Sequence, residues 1–258
     1  MPSKTEINKM KSLQRLLFHM ADDLLILGHR NSEWTGIGPV LEEDIAFASM
    51  AQDKIGQAQA LYRLINEKYD TDSADQLAFN RKENDFFSCQ FVEYPIGEYD
   101  FSLVRHFLFD IAQMVRFDDL IKSSNEDLKI IAQKYQGELK YHIMHANIWM
   151  EQLMNGNEES KARISSSINY LWPKAHSIFE SYEGENELIE NKTYSGEKEL
   201  LSRWKNIITE KCKSWGIILN EINEDEAIGG RKNIHTEYLS NLLSEMTEVF
   251  NIEPSAEW

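Results

Sequence analysis

The chain has 258 residues, with 27 Lys and Arg against 43 Asp and Glu, for a formal net charge of −16 at pH 7. That charge argues against nucleic acid and the anionic face of a membrane as partners, and favours a basic protein surface. Cys89 and Cys212 share no short spacing, which leaves neither a zinc motif nor a disulfide framework and makes a reducing cytoplasm the expected setting. Residues 1–11 lack the apolar run of a signal peptide, and no stretch approaches the roughly 20 apolar residues of a membrane span. With 12 glycines, 5 prolines and no regular apolar-polar alternation, the pattern predicts long helices in a single domain over residues 1–258.

Leu13, Leu16, Leu17, Met20, Leu24 and Leu27 recur at helical spacing, predicting a first helix from about 9 to 27 that stops at Gly28. A glycine-rich connection leads past Pro39 into a second helix. From 45 to 62 the only charged residues are Asp53 and Lys54, so this helix is expected to be covered on every side. Ala46, Ser49, Asp53, Gly56 and Ala60 form a strip of small residues on it, with an acid in the middle. Residues 69–100 read as irregular. A third helix, about 102–122, has Asp110 on the face of Leu103, Phe107, Met114, Phe117 and Ile121. A fourth, about 126–154, has Ile131, Tyr135, Glu138, His142, His145 and Trp149 on a common face. Then follow a helix from about 159 that Pro173 ends or kinks, an acidic loop at 182–197, a helix at about 199–220, a break at Gly229-Gly230-Arg231 and a last helix at about 235–250. The fold class is all-α, a four-helix bundle with about three additional helices.

Asp23, Asp53, Asp110 and Glu138 occupy the places of four inward carboxylates, at separations of 30, 57 and 28 residues. A di-iron bundle takes one carboxylate from each of two helices, and from each of the other two a carboxylate with a histidine three residues later. Position 56 is Gly56, position 141 is Tyr141, and none of the seven histidines follows an acid by three. The usual nitrogen ligands are therefore missing. The residues read as a polar cluster at the bundle centre that needs internal partners. Tyr141, His142, His145, His106 and Arg105 are near by helical spacing, and Arg30 and Lys54 by sequence. No catalytic, cofactor-binding or metal-ligating residue is expected. The alternatives are an oxygenase in its own right, with an irregular carboxylate and His142/His145 metal site, and an iron-handling homodimer.

The segments Leu27-Gly28-x-Arg30-x-Ser32-Glu33-Trp34-x-Gly36, Pro39-x-Leu41-Glu42-Glu43-Asp44-Ile45-Ala46 and Asp53-x-x-Gly56-Gln57-Ala58 carry a family resemblance. So do Leu103-Val104-Arg105-x-Phe107-Leu108-x-Asp110, Glu138-x-x-Tyr141-His142, Leu171-Trp172-Pro173, Gly229-Gly230-Arg231-x-x-x-His235-Thr236-Glu237 and the terminal Pro254-Ser255-Ala256-Glu257-Trp258. Together they resemble the non-catalytic C subunits of phenylacetyl-CoA 1,2-epoxidases, which are ring-epoxidising multicomponent monooxygenases. The resemblance implies a ferritin-like fold that lacks iron ligands. It also implies a homologous catalytic A subunit as partner, holding the di-iron centre, and a further reductase component. The chain when alone is expected to self-associate, because its second helix has no solvated face to spare.

Overall fold

The computed structural model describes residues 10–220 and 228–253. The expected helix start near residue 9 and the terminal motif at 254–258 lie outside the described residues. Among them the α-helices are α1 (Ser12–Ser32), α2 (Leu41–Tyr69), α3 (Ala74–Phe79), α4 (Gln90–Glu93), α5 (Tyr99–Leu120), α6 (Glu126–Met154), α7 (Glu158–Ala175), α8 (Glu185–Glu190), α9 (Glu197–Ser214) and α10 (Glu237–Met246). The described residues contain no strand, and the all-α, ferritin-like fold class stands. The chain divides into two compact units, Met1–Pro95 with Gly229–Trp258, and Ile96–Ile228.

In the first unit α1 and α2 pair along their length. Every residue from Arg15 to Gly28 is buried, so α1 is the core helix here. It does not stop at Gly28. A Cβ there would lie 2.8 Å from Ile55 Cγ1 and 3.3 Å from the Ala51 carbonyl, so the glycine permits close approach of α2 and ends nothing. Glu42, Glu43 and Asp44 in the first turn of α2 favour the helix dipole, and Asp70, left-handed at φ 51°, ends the helix. The Asp44 carboxylate also accepts the Gly36 and Gly38 N–H groups at 2.6 and 3.4 Å, which fixes the entering turn. α2 buries Phe47, Met50, Lys54, Ala58, Leu61 and Ile65 on one side. Within the described residues only one side of α2 is covered, so the cover expected for its other side would have to come from outside them. Among the described residues nothing encloses Ile45, Ser49, Gln52, Gly56 and Gln59, because scarcity of charge does not by itself say which face is inward. The stretch read as irregular holds α3 and α4, too short to show a period; Ser73 and Gln76 close a capping box on α3.

In the second unit α5 is the core helix, with every residue from Ser102 to Gln113 buried. α6 is tied at its start by Asn125, whose side chain accepts the Leu128 N–H at 3.1 Å, and α7 by Asn157, which accepts the Ser160 N–H at 2.9 Å. α6, α7 and α9 pack on α5. Pro173 sits in the last turn of α7, and the chain continues as a 3-10 turn at His176–Phe179. Trp204 of α9 is fully buried, stacks on Trp172 with ring centres 5.0 Å apart, and donates its Nε1–H to the Leu108 carbonyl at 3.0 Å.

His176 stands edge-on to Trp172 and Trp204 and donates Nδ1–H to the Trp172 carbonyl at 2.9 Å. Burial lowers its pKa to about 4, and burial lowers that of His29 to about 4 as well. The unfolded chain therefore binds more protons than the folded one between the ordinary histidine pKa of about 6.5 and pH 4. These groups' contribution is complete above about pH 6.5 and is lost as pH falls toward 4, by up to about 1.4 kcal/mol per pH unit for each group. Urea titrations at pH 7.0 and 5.0 should show this loss, and His176→Gln should reduce the difference between them.

Candidate functional site

Two of the four expected inward carboxylates are fully inside, Asp23 on α1 and Asp110 on α5. Asp53 and Glu138 are only partly buried. Their places on the inner faces of α2 and α6 fall to the neighbouring Lys54 and to His142, each 1 % exposed. Gly56 and Tyr141, at the positions where a histidine ligand would stand, are exposed.

Asp23 is held by the first unit's C-terminal segment. Its Oδ1 accepts from the Arg231 guanidinium at 2.8 Å and from the Cys89 N–H at 2.7 Å, and its Oδ2 accepts from Arg231 at 2.6 Å. Arg231 donates further to the Phe87 carbonyl at 2.7 Å. The two glycines before it explain how the arginine gets there. Gly229 has φ 133°, and a Cβ on Gly230 would fall 2.1 Å from the Ser88 carbonyl oxygen. Arg30, close to Asp23 in sequence, goes elsewhere: it donates to the Glu93 carbonyl at 2.7 and 3.1 Å and to Glu33 at 2.7 Å.

Glu93 joins the two most specific sequence motifs. Its carboxylate accepts from Ser88 at 3.0 Å, from His235 Nδ1 at 2.7 Å, and from the Thr236 N–H and hydroxyl at 2.7 and 2.8 Å. Its carbonyl meanwhile receives Arg30. The Arg-x-Ser-Glu-Trp and Gly-Gly-Arg-x-x-x-His-Thr-Glu segments thus meet on one residue, and their polar groups are spent on bracing the unit. Periodicity did not single out Glu93, since it lies in a one-turn helix.

A second brace surrounds Asp22, which the sequence pattern did not mark out from its neighbour Asp23. Arg81 reaches it at 2.5 and 3.0 Å, the Tyr62 hydroxyl donates to it at 2.5 Å and the Phe87 N–H at 2.7 Å. The guanidinium lies 4.0 Å from the Phe86 ring centre. Burial, then the Asp22 charge, push the Tyr62 phenol well above its ordinary range. The buried Tyr62 at the end of the charge-poor stretch was the available sign of this network.

In the second unit Asp110 gathers histidines. His106 Nδ1 approaches its Oδ2 at 2.5 Å, His142 Nδ1 stands 3.8 Å away, and the His145 ring centre lies 5.5 Å from that of His106. Three of the expected partners are thus brought to this acid's neighbourhood, whereas Tyr141 is 45 % exposed and packs its ring edge-on to His142. Arg105 is fully buried, its guanidinium 5.6 Å from the Phe101 ring centre. Arg116 and Glu197 make a two-pronged ion pair, both contacts 2.8 Å, at the start of α9. Burial and the Glu197 charge push the phenols of Tyr182 and Tyr194 upward.

The chemistry of this donor set is that of internal ion pairs. Both Asp23 oxygens are committed to a guanidinium and an amide, and a cation placed there would face Arg231 directly. Among the described residues no group of three or more His, Cys, Asp or Glu side chains is arranged to hold a metal ion. The residues do not fit a di-iron centre of the usual carboxylate and histidine kind. Among the described residues no helix is long and apolar enough to cross a membrane.

Comparison with known proteins agrees with the motif reading. The profile of the phenylacetic acid catabolic protein family matches residues 1–258. The chain is 29 % identical over 251 residues to the C subunit of the 1,2-phenylacetyl-CoA epoxidase of Escherichia coli (strain K12), across 96 % of this chain and 100 % of that protein. With its helical fold and a match that runs from end to end, the chain belongs to the phenylacetic acid catabolic protein family.

Proposed function

We propose that this chain is the non-catalytic subunit of a phenylacetyl-CoA epoxidase in the cytoplasm. It holds and stabilises a homologous A-type subunit, and the di-iron centre belongs to that partner. The observation that carries this reading is the use of Asp23. The acid expected on the first long helix is neutralised by Arg231, an arginine of the family motif, from 208 residues away. The end-to-end similarity to the Escherichia coli C subunit supports it.

The subunit's work in this reading is mechanical. Its buried ion pairs fix the helices that face the partner, and the free energy of association adds to the stability of both chains. Co-expression with the A-type subunit tests this. A tag on this chain alone should retain both proteins in equal amounts through size-exclusion chromatography, and the A-type subunit should lose stability when expressed without it. Elution of the two as separate species at micromolar concentration would overturn the assignment.

A further inference from the structure

We propose that the exposed face of α2 is the seat of a long helix from the catalytic partner subunit, and not the contact between two copies of this chain. The proposal rests on the subunit reading above and adds the surface on which pairing occurs.

Four large apolar side chains stand in solvent where α2 begins: Ile37, Val40, Leu41 and Ile45, at 60, 45, 71 and 60 % exposure. The same face continues through Ser49, Gln52, Gly56 and Gln59 to Arg63. From Ile45 to Gln59 every fully exposed residue is uncharged, in a chain with 27 % charged residues. A helix face turned to water ordinarily carries charge, so this one is built to be covered. From Ile45 onward the steps are four, three, four, three and four. They average the 3.6 residues of one α-helical turn, so they form a straight stripe along which a second helix can pack for about 27 Å at 1.5 Å per residue.

Gly56 gives the closest indication of what covers it. A glycine inside a helix costs stability relative to alanine, and Gly56 shares its open surroundings with Gly137 on α6, but only Gly56 lies in the uncharged face. A Cβ on Gly28 would meet Ile55 and one on Gly230 would meet Ser88, whereas a Cβ on Gly56 would meet nothing within 4 Å. Among the described residues the space above Gly56 is open, and in the middle of this uncharged face a glycine lets a partner backbone approach closely.

Charge decides between occupants. The edges of the face carry Glu42, Asp44 and Asp53, with Arg63 at the far end and Lys54 turned into the core. A parallel second copy would set acidic edge on acidic edge, and an antiparallel one, though it would bring Arg63 to Glu42 and Asp44, would still face Asp53 with Asp53 and bring another net charge of −16. The occupant that fits is a helix with an apolar seam flanked by basic residues, on the A-type subunit of the proposed function.

The test is a titration of this chain against the purified A-type subunit, with light scattering on each protein alone. Gly56→Ala should raise the melting temperature of the isolated chain by about 2–4 °C, because the helix gains and nothing clashes. It should also weaken pairing about tenfold. Ile45→Glu with Gly56→Leu should weaken it about 100-fold or more while helicity by circular dichroism is unchanged. Ile252→Lys, on an exposed residue outside this face, should leave pairing as it is. If the unaltered chain does not pair at all, the subunit reading fails and this surface with it. If the unaltered chain pairs and the α2 variants pair as tightly, or Ile252→Lys weakens pairing equally, this surface alone is wrong. If the isolated chain is a dimer that the α2 variants dissociate, the occupant is a second copy and the proposal is overturned.

Discussion

Arg231→Leu is expected to destabilise the chain by about 3–5 kcal/mol, the range for removing one partner of a buried ion pair. Arg231 and Asp23 are 3 and 5 % exposed, and the arginine holds both carboxylate oxygens and the Phe87 carbonyl. Loss of the guanidinium strands a carboxylate in the interior, and protonation relieves only part of that cost. The double variant Arg231→Leu with Asp23→Leu should recover part of the loss, because the charge that needed a partner is gone as well. The Cys89 N–H would still lack its acceptor. Urea denaturation of the two single variants and the double variant measures the coupling. Additive losses would mean that the pair does not act as a unit.

Gly230→Ala is the next largest effect, at about 3 kcal/mol, the upper part of the usual range for overpacking. The added methyl would meet the Ser88 carbonyl oxygen at 2.1 Å and the backbone of Cys89 and Gln90 at 3.0 and 3.1 Å. These are backbone atoms, so no side chain can turn aside, and the segment that carries Arg231 and His235 must shift. Thermal melts of Gly230→Ala and Gly56→Ala make a direct contrast. One Cβ goes into backbone and the other into open space, and the two variants should move in opposite directions.

The sequence showed the long helices clearly, since their apolar periods extend over twenty residues or more. It misplaced boundaries where a glycine serves packing, as Gly28 does inside α1, because a close approach between helices leaves no local trace. It missed α3, α4 and α8, whose one or two turns are set by what they pack on and are too short to show a period. Asp23 and Asp110 are buried as expected, Asp23 beside the apolar stripe of its helix and Asp110 directly on that of its own. For Asp53 and Glu138 the pattern did not resolve which neighbour faces inward. In a helix with little charge on any face, a turn of 100° exchanges Asp53 for Lys54 without altering the hydrophobic pattern. The partner of Asp23 could not be read at all, since Arg231 is brought to it by the tertiary fold.

The most direct measurement takes this chain and the A-type subunit, each made separately in iron-rich medium, and follows iron content and phenylacetyl-CoA epoxidation with the reductase before and after mixing. The expected result is well under one iron per molecule of this chain, no oxo-bridged di-iron absorption from it, iron in the A-type subunit, and full turnover only when the two are combined. Stoichiometric iron in this chain that Asp23→Asn or Asp110→Asn removes, or turnover by this chain without the A-type subunit, would contradict it.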